Sequence, residues 1–516
     1  MPLAFLVGDR AVPGPPVRVT MSQVLVSIGA IQILIMFVAL VRAKVLSVIL
    51  GPAGYGIVST VDQTVLSVMQ LGALSLPFTA LKFMARRHSD GHDEFEQTYT
   101  SFFRALAALS VVAVVVVGAI LYVRPGIFGR DLTVYRNYFY VAMLGVPAAM
   151  LNVLFVNTLA AAQRGAASAM MNMLVLLAAA IASVIGVVLG GIGGLYVATV
   201  STGACCTLAS IWYLRKSLRL RLTAPTHGLL AELRQSPEIV SYSAMVYVAL
   251  SAYSLTMLAT RYFVFAALGA VGAGLLQALL SIALTVGAVM TPMNGLFLTP
   301  LVNRNLPVAT KVDAANDFAG KILVLLLLGG VAVALFPATA LTVLFSRRFV
   351  DGAGALYLFV VWQCLYQIVN VYLQLLIGLD DVAFYTVTTC VGYGVAALLF
   401  APLVAHVGLG GAALSLGSAM IVAAIAASVR LRSKFGAGIR PAVWIRSAYC
   451  LLAIAAAGFF FSPATEARPL GVALRLLYAL AVTVVLWATL DASERALVGA
   501  GIAWGQRKIG VSARSG

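Results

Sequence analysis

The sequence predicts an all-α polytopic membrane protein of about fourteen transmembrane helices, built as two parallel six-helix repeats with two further C-terminal helices. Composition, the spacing of apolar segments and internal repetition lead to this fold class. Apolar residues make up 62% of the 516 positions, charged residues only 10%, and the mean hydropathy is +1.02. These values are typical of membrane proteins. Apolar runs of about 20 residues, enough to cross a ~30 Å hydrocarbon core as a helix, recur along the whole chain.

The predicted spans alternate with short loops, and the loops differ in charge. Most of the 34 Lys and Arg residues fall in the loops on one side. An even number of spans puts both chain ends on that same side, and the positive-inside rule places it in the cytoplasm. The spans are residues 22–49, 55–82, 100–123, 137–162, 167–189, 194–214, 238–268, 272–301, 318–345, 353–378, 382–405, 408–430, 442–461 and 470–490.

The chain repeats itself at an offset of 217 or 218 positions. One match alone would be weak, but several in the same order at a nearly constant offset indicate a duplicated unit, an architecture of transporters whose site lies between the halves. The matching segments are Leu50-Gly-Pro-Ala-Gly-Tyr-Gly56 with Leu268-Gly-Ala-Val-Gly-Ala-Gly274, Phe128-Gly-Arg130 with Phe345-Ser-Arg347, and Gly193-Gly194 with Gly410-Gly411.

This repetition predicts the organisation of the chain. Residues 1–20 contain four prolines and no continuous apolar core, so we expect a disordered extension there, or a true start at Met21. The predicted units are 1–20 as that extension, 21–225 as an N-terminal lobe, 226–440 as a C-terminal lobe, 441–492 as two appended helices, and 493–516 as a cytoplasmic tail.

The net charge of +17 does not indicate nucleic-acid binding, because the basic residues lie in topology-setting loops rather than on one patch. The five cysteines all fall within apolar runs, and the four histidines are scattered near loops. Neither pattern has the spacing of a metal site. No Ser/His/Asp, metal or P-loop motif indicates an enzyme, and we expect no catalytic residue, metal or cofactor.

Three cations lie deep in predicted spans, beside the two glycine-containing breaks of the repeat. Arg42 and Lys44 precede the first break, and Arg261 precedes the second at the position that corresponds to the one between Arg42 and Lys44. A charge near the bilayer centre costs ~2.5–3.5 kcal/mol on insertion scales, so it usually faces a wet cavity or a partner. We expect all three to line a cationic cavity, with snorkelling to the outer headgroups as the alternative.

Asp62 is the one carboxylate predicted to lie inside a span. It follows the first break at a depth similar to that of Arg42 and Lys44, so it is either their counter-ion or a group that carries a proton or cation for coupling. The short predicted separation slightly favours the ion pair. Leu280 occupies the matching place in the second repeat, which leaves Arg261 without a predicted acid.

The tenth span carries a stripe of amides on one helical face, with aromatic residues on adjoining faces. Such amides either join helices or line a polar cavity, and the length of the stripe favours the cavity. Amide donors and flat aromatic rings suit a sugar ligand. The candidate sugar-binding residues are Gln363, Tyr366, Gln367, Asn370 and Gln374, with Asn152 and Asn157 in the equivalent fourth span.

Three motifs carry a resemblance to a known family: Arg-x-Lys before Leu50-Gly-Pro-Ala-Gly-Tyr-Gly56, Thr260-Arg261-Tyr-Phe-Val-Phe-Ala-Ala-Leu-Gly269, and Leu344-Phe-Ser-Arg-Arg-Phe349. Over residues 21–435 the chain resembles the polysaccharide transporter family. These are the Wzx-type O-antigen and exopolysaccharide flippases of the multidrug/oligosaccharidyl-lipid/polysaccharide (MOP) exporter superfamily. That family often has Asp-Arg in the seventh span, where this chain has Thr260.

The resemblance implies two MATE-like lobes in a bacterial inner membrane. It also implies transport of an undecaprenyl-pyrophosphate-linked oligosaccharide, such as a lipopolysaccharide or exopolysaccharide repeat unit, to the outer leaflet. Membrane lipids, a polysaccharide polymerase and assembly proteins are the implied partners.

Several alternatives stay open. A lipid II flippase has fourteen spans, as predicted here. A drug/cation antiporter of the same fold should have an acidic cavity, and a major-facilitator transporter should carry a Gly and Asp-Arg motif in its second-to-third loop. A membrane glycosyl polymerase, from a different functional class, is disfavoured because the predicted outer loops are short.

Overall fold

The computed structural model describes residues 21–124, 130–222, 228–229, 233–234, 236–288, 306–466 and 468–489, with the backbone alone for residues 21–33 and 130–131. Within these ranges the chain is helical nearly throughout and contains no strand. The predicted extension 1–20, the predicted tail 493–516 and the end of the eighth predicted span lie outside the described residues.

The described helices follow the predicted order of two repeats and an appended pair. The first repeat contains α1 (Met21–Gly72), α2 (Leu76–Arg87), α3 (His92–Val123), α4 (Arg136–Met143), α5 (Val146–Ala161) and α6 (Gly165–Ser217). The second contains α7 (Pro237–Ala288), α8 (Val308–Leu335), α9 (Pro337–Leu344), α10 (Ala353–Gly378), α11 (Val382–Val407) and α12 (Leu409–Phe435). The appended pair is α13 (Pro441–Phe460) and α14 (Pro469–Thr489).

Three helices are too long for one membrane crossing and fold back at a glycine. In α1 the turn is Gly51 (φ 64°, ψ −177°), and in α7 it is Gly269 (φ 70°, ψ −172°). This backbone region is open essentially to glycine alone. Pro52 then begins the second arm of α1, where its missing N–H costs little because the first-turn donors have no helical partner. The third turn, in α6, is at Gly191.

The fold-back helices account for the predicted number of spans. Ten described helices are long and apolar enough to cross a membrane, and the pair Leu132–Met143 and Val146–Ala161, bent by 41°, could form an eleventh crossing. Because α1, α6 and α7 each contain two arms, each supplies two crossings. Over the described residues, every predicted span therefore corresponds to a helix, a helix arm or two consecutive helices, and the chain is a multi-pass, all-α membrane protein.

The backbone confirms the internal repeat. Left-handed residues recur at the predicted offset: Gly51 with Gly269, Gln163 with Asp380, Gly191 with Gly408, and Arg219 with Gly436. Two short 3-10 segments, Arg130–Tyr135 and Arg347–Gly352, are also 217 positions apart. Local conformation is therefore duplicated at turns where the side chains differ.

The two repeats meet mainly through α1 and α7. The equivalent glycines Gly56 and Gly274 touch across this interface, so that a Cβ added to Gly274 would collide with the backbone of Pro52. A Cβ on Gly56 would likewise collide with the backbone of Ala270. Close backbone contact at this point, near the Gly51 and Gly269 turns, joins the repeats at one end of the bundle. We call it the glycine-turn end.

The appended helices pack on the second repeat at both ends. The buried Asn316 amide of α8 accepts hydrogen bonds from Tyr372 Oη (3.0 Å) and from the backbone N–H of Arg440 (3.2 Å), just before α13. At the other end, the Glu466 carboxylate accepts from the backbone N–H groups of Ala338 (2.8 Å) and Thr339 (2.9 Å). Glu466 thus satisfies donors in the first turn of α9 that have no helical partner.

Candidate functional site

A cavity of about 220 Å³ lies between the α1 and α7 hairpins, just inside the two glycine turns. Its wall brings together two of the three predicted cations and the predicted acid. The polar side chains that line it are Arg42, Tyr55, Ser59, Asp62, Gln63, Arg261 and Gln277. Residues from both repeats therefore contribute to one polar chamber within an apolar bundle.

Arg42 and Asp62 face each other across the hairpin that α1 forms at Gly51. Arg42 Nη2 lies 3.5 Å from Asp62 Oδ2, and Arg42 Nε donates to Ser183 Oγ at 2.9 Å. The second carboxylate oxygen, Oδ1, accepts from Tyr196 Oη at 3.2 Å. Both Ser183 and Tyr196 belong to α6, so this helix holds the pair from the side. The geometry agrees with the ion-pair interpretation of Asp62, whereas a coupling role for this residue stays a prediction.

Arg261 is buried at the wall of the same cavity, with 8% of its surface exposed. Its Nη2 donates to Gln277 Oε1 at 2.6 Å, across the second hairpin. Among the described residues it forms no salt bridge, although Asp62 is close enough to attract it electrostatically. The Nε group is buried and has no hydrogen-bond partner in the described part of the chain. Arg261 therefore keeps a full charge and a spare donor.

Lys44 points away from this cavity. Its ammonium donates to the backbone oxygen of Thr342 in α9 at 2.9 Å, and Lys44 is not among the cavity-lining residues. Two residues along a helix are about 200° apart around its axis, so Lys44 and Arg42 face nearly opposite sides. Lys44 thus joins the first repeat to the second near the glycine-turn end.

The amide stripe on α10 lies elsewhere in the second repeat. Gln363 and Gln367 are buried and pack directly on Gly287 of α7. Asn370 is half-buried and Gln374 is exposed. Tyr366 lies beside Trp362, with ring centroids 6.4 Å apart. The structure therefore keeps these residues on one helix without bringing them to the Arg42–Arg261 cavity.

The two asparagines of the first repeat have different environments. Asn157 Nδ2 donates to the backbone oxygen of Pro77 at 2.9 Å and so joins α5 to α2. Asn152 is buried, and its Oδ1 has no hydrogen-bond partner among the described residues. Neither residue lines the cationic cavity.

Aromatic rings close the cavity at the glycine-turn end. Tyr55 packs against Phe345 and Phe349, with ring centroids 5.8 Å and 6.0 Å away. Toward the other end, the two repeats are joined by a hydrogen bond between Thr64 Oγ1 and Tyr262 Oη, which are 2.7 Å apart. The cavity therefore has packed rings next to it at the glycine-turn end and hydrogen-bonding side chains toward the other end.

Gln277, Ser183 and Tyr196 are site residues that the sequence reasoning missed. The repeat offset directed attention to Leu280, the equivalent of Asp62, which is buried and apolar. Pairing residues at equal distances on either side of the Gly269 turn would have identified Gln277 as the partner of Arg261, because Gln277 lies as far after Gly269 as Arg261 lies before it. Ser183 and Tyr196 are small or aromatic residues of an apolar helix, with no sequence signal of their own.

Comparison with known proteins agrees with this architecture. The structure resembles lipid II flippase MurJ in an inward closed conformation (TM-score 0.68, 10% identity, covering 92% of this chain and 100% of that one). It also resembles an inward-facing multidrug resistance MATE transporter of the MOP superfamily (TM-score 0.63, 16% identity, 85% and 100% covered). A third similar structure is a MATE protein in a bent conformation (TM-score 0.56, 17% identity, 83% and 97% covered).

These structural similarities, at less than 20% identity, concern the fold. No curated protein matches the chain. Residues 23–305, more than half of the chain, match the family described as polysaccharide biosynthesis protein. The fold is therefore that of MATE proteins and MurJ, and the family assignment rests on this match. The chain belongs to the polysaccharide biosynthesis protein family.

Proposed function

We propose that the protein is a flippase that moves an undecaprenyl-pyrophosphate-linked oligosaccharide from the cytoplasmic to the outer leaflet of the bacterial inner membrane. The observation that carries this proposal is the cavity between α1 and α7, which holds two guanidinium groups and one carboxylate. A chamber of net positive charge, buried between two halves of a transporter, suits an anionic group of the substrate.

The substrate's chemistry fits the available side chains. The planar guanidinium of Arg matches phosphate oxygens in a bidentate geometry, so Arg42 and Arg261 suit a diphosphate. The amides and rings of the α10 stripe (Gln363, Tyr366, Gln367, Asn370 and Gln374) are assigned to the sugars, with Asn152 and Asn157 as a lesser contribution. Lys44 is assigned to closure at the glycine-turn end, because it bonds to Thr342.

Alternating access would rock one lobe, residues 21–225, against the other, residues 226–440. We place the glycine-turn end on the outer side and both termini in the cytoplasm, because the loops opposite the turns carry most of the basic residues. The Tyr55 contacts with Phe345 and Phe349 then close the outer side. In this conformation the cavity would exchange substrate with the cytoplasmic leaflet.

A lipid II flippase is the second candidate. The similarity to MurJ covers 92% of this chain, and the appended helices α13 and α14 fit a fourteen-span flippase. Complementation separates the two: restoration of surface polysaccharide in a flippase-deficient strain supports the first function, and rescue of MurJ depletion supports the second. A drug/cation antiporter fits less well, because Asp62 is already engaged by Arg42 and Tyr196.

The central test removes the charge of Arg261. Arg261→Ala should abolish export of surface polysaccharide in a complemented deletion strain, with the protein still present in the membrane at normal level. Arg261→Lys should restore export in part, because the charge is kept while the bidentate geometry is lost. Normal export by Arg261→Ala would place the diphosphate site elsewhere and refute the cationic-cavity mechanism.

A vesicle assay separates transport from polymerisation. Labelled lipid-linked repeat units are added to vesicles that contain the purified protein. Movement of the label to the opposite leaflet without chain growth is expected of a flippase. Growth of the glycan chain would instead indicate a glycosyl polymerase.

A further inference from the structure

Arg261 is held by neutral groups only. Its Nη2 donates to Gln277 Oε1 at 2.6 Å, and Nη1 is 3.5 Å from the backbone oxygen of Met257. The Gln277 amide is itself oriented, because its Nε2 donates to Ser281 Oγ at 3.1 Å. This second bond turns the amide oxygen, the acceptor, toward the arginine.

The guanidinium is therefore fixed in place but not neutralised. A hydrogen bond from an amide oxygen orients the guanidinium plane without cancelling its charge, whereas a carboxylate at the same place would do both. The Nε donor of Arg261, buried and without a partner among the described residues, is left for another acceptor. A buried, unpaired charge is costly unless a ligand uses it.

In the α1 hairpin the arginine faces a charged partner instead of a neutral one. There the residue that faces Arg42 is a carboxylate, Asp62, and the pair is further held by Ser183 and Tyr196. Of the two arginines at this cavity, Arg42 is hydrogen-bonded to its counter-ion, whereas Arg261 is hydrogen-bonded to neutral groups and is attracted by Asp62 without a direct contact among the described residues. The difference between Asp62 and Gln277 thus decides which arginine is available to an anion.

We propose that Gln277 is a positioning residue that presents Arg261 to the diphosphate of the lipid-linked substrate and, by being neutral, reserves that charge for it. This inference rests on the proposed flippase function. It assigns the diphosphate to the second repeat, at Arg261, and gives Arg42 a secondary role. A purely structural Gln277 would only satisfy a buried donor.

The test measures binding of farnesyl diphosphate, a short isoprenoid diphosphate, to the purified full-length protein in detergent, with farnesol as the uncharged control. Gln277→Glu keeps the acceptor for Arg261 and adds a charge, so it should fold at least as stably as wild type yet bind the probe about tenfold or more weaker. Gln277→Met keeps the charge of Arg261 but loses its orientation, and should bind with an intermediate loss.

An exchange variant separates position from net charge. Asp62→Gln combined with Gln277→Glu leaves the total charge of the cavity unchanged and moves the counter-ion from Arg42 to Arg261. We expect it to bind the probe about tenfold weaker than wild type, as the single Gln277→Glu variant does. Size-exclusion profiles and thermal midpoints serve as folding controls for every variant.

The outcomes are distinct. Wild-type affinity in Gln277→Glu would show that Gln277 is only structural, and wild-type affinity in the exchange variant would show that only net charge matters. Either result overturns the assignment to Gln277 and leaves the flippase proposal standing. If Arg261→Ala binds farnesyl diphosphate as well as wild type, or wild type binds it no better than farnesol, the cationic-cavity function fails and this inference falls with it.

Discussion

The two glycine hairpins have the same backbone and different charge. Arg42 and Asp62 face each other across Gly51, and Arg261 and Gln277 face each other across Gly269, at 3.5 Å and 2.6 Å. Both turns have φ near +65° and an extended ψ. The two repeats thus share the geometry that closes a hairpin but place different residues opposite the arginine: a carboxylate in the first and, from a non-equivalent position, a neutral amide in the second.

If the protein transports an anionic substrate as proposed, this difference shows where its two repeats must be alike and where they must differ. The halves have to fit against each other at Gly56 and Gly274, which is a requirement on shape. The proposed binding of a diphosphate instead needs a cavity that stays positive, which is a requirement on charge. Two identical ion pairs would satisfy the first requirement and leave the cavity neutral.

The largest effect is expected where the halves are alike. Gly274→Val would push a side chain into the backbone of Pro52, so the glycine-turn end should fail to close. We expect loss of polysaccharide export, together with faster labelling of a cysteine at Ser59 by a membrane-impermeant thiol reagent added from outside. Normal export with slow labelling would mean that this contact does not close the cavity.

Gly394→Val provides the matched control for that experiment. Gly394 is an exposed glycine of α11, and a Cβ there meets no atom within 4 Å. The same change of residue type should therefore leave export and labelling close to wild type. A loss of export in this control as well would point to helix propensity rather than to closure.

A smaller effect is expected at Arg42, where the halves differ. Because Asp62 already offsets its charge, Arg42→Ala should lower export less than Arg261→Ala does. We expect a loss of about tenfold or less, the scale of one ordinary hydrogen bond. The measurement is the export assay with both variants side by side at matched protein level. Equal loss in the two variants would mean that the cavity uses its arginines equivalently.

The smallest effect is expected for the stability of the folded protein, at another position where the two repeats carry different charges. Asp381, at the start of α11, is the equivalent of Arg164, and it binds Arg430 at 2.7 Å and Lys434 at 3.0 Å. Hydrogen bonds from Arg430 lower the pKa of Asp381 below its usual range. Asp381→Asn should therefore reduce stability by about 1–3 kcal/mol at neutral pH.

The pH dependence tests whether the ionised carboxylate of Asp381 is the source of this stabilisation. A lowered folded-state pKa adds stability that is fully present above the unfolded value of about 3.9 and is lost as the pH falls through the folded-state pKa. The thermal midpoints of wild type and Asp381→Asn should differ at pH 7 and converge below about pH 4. A difference that stays constant well below about pH 4 would exclude the carboxylate as its source.

Much of the fold could be predicted from sequence, because each span needs a long apolar run and each repeat copies its turn glycines. The cavity was partly predictable for a related reason: charges inside apolar runs are rare, so Arg42, Asp62 and Arg261 stand out. The direction in which each side chain points was harder to predict. Lys44 points to α9, and Gln363 packs on Gly287, because rotation about a helix axis is set by tertiary contacts that periodicity does not give.

The fold-back of α1 also bears on how the protein enters the membrane. Arg42 and Asp62 belong to one hairpin, so a nascent chain can neutralise both charges locally before either meets lipid. Within its own hairpin Arg261 bonds to the neutral amide of Gln277, and a carboxylate that attracts it, Asp62, belongs to the first repeat. Because the first repeat is synthesised earlier, it can receive the second as a folded partner. Assembly in the membrane would then proceed from the first repeat to the second, although the two repeats are nearly symmetric in the final structure.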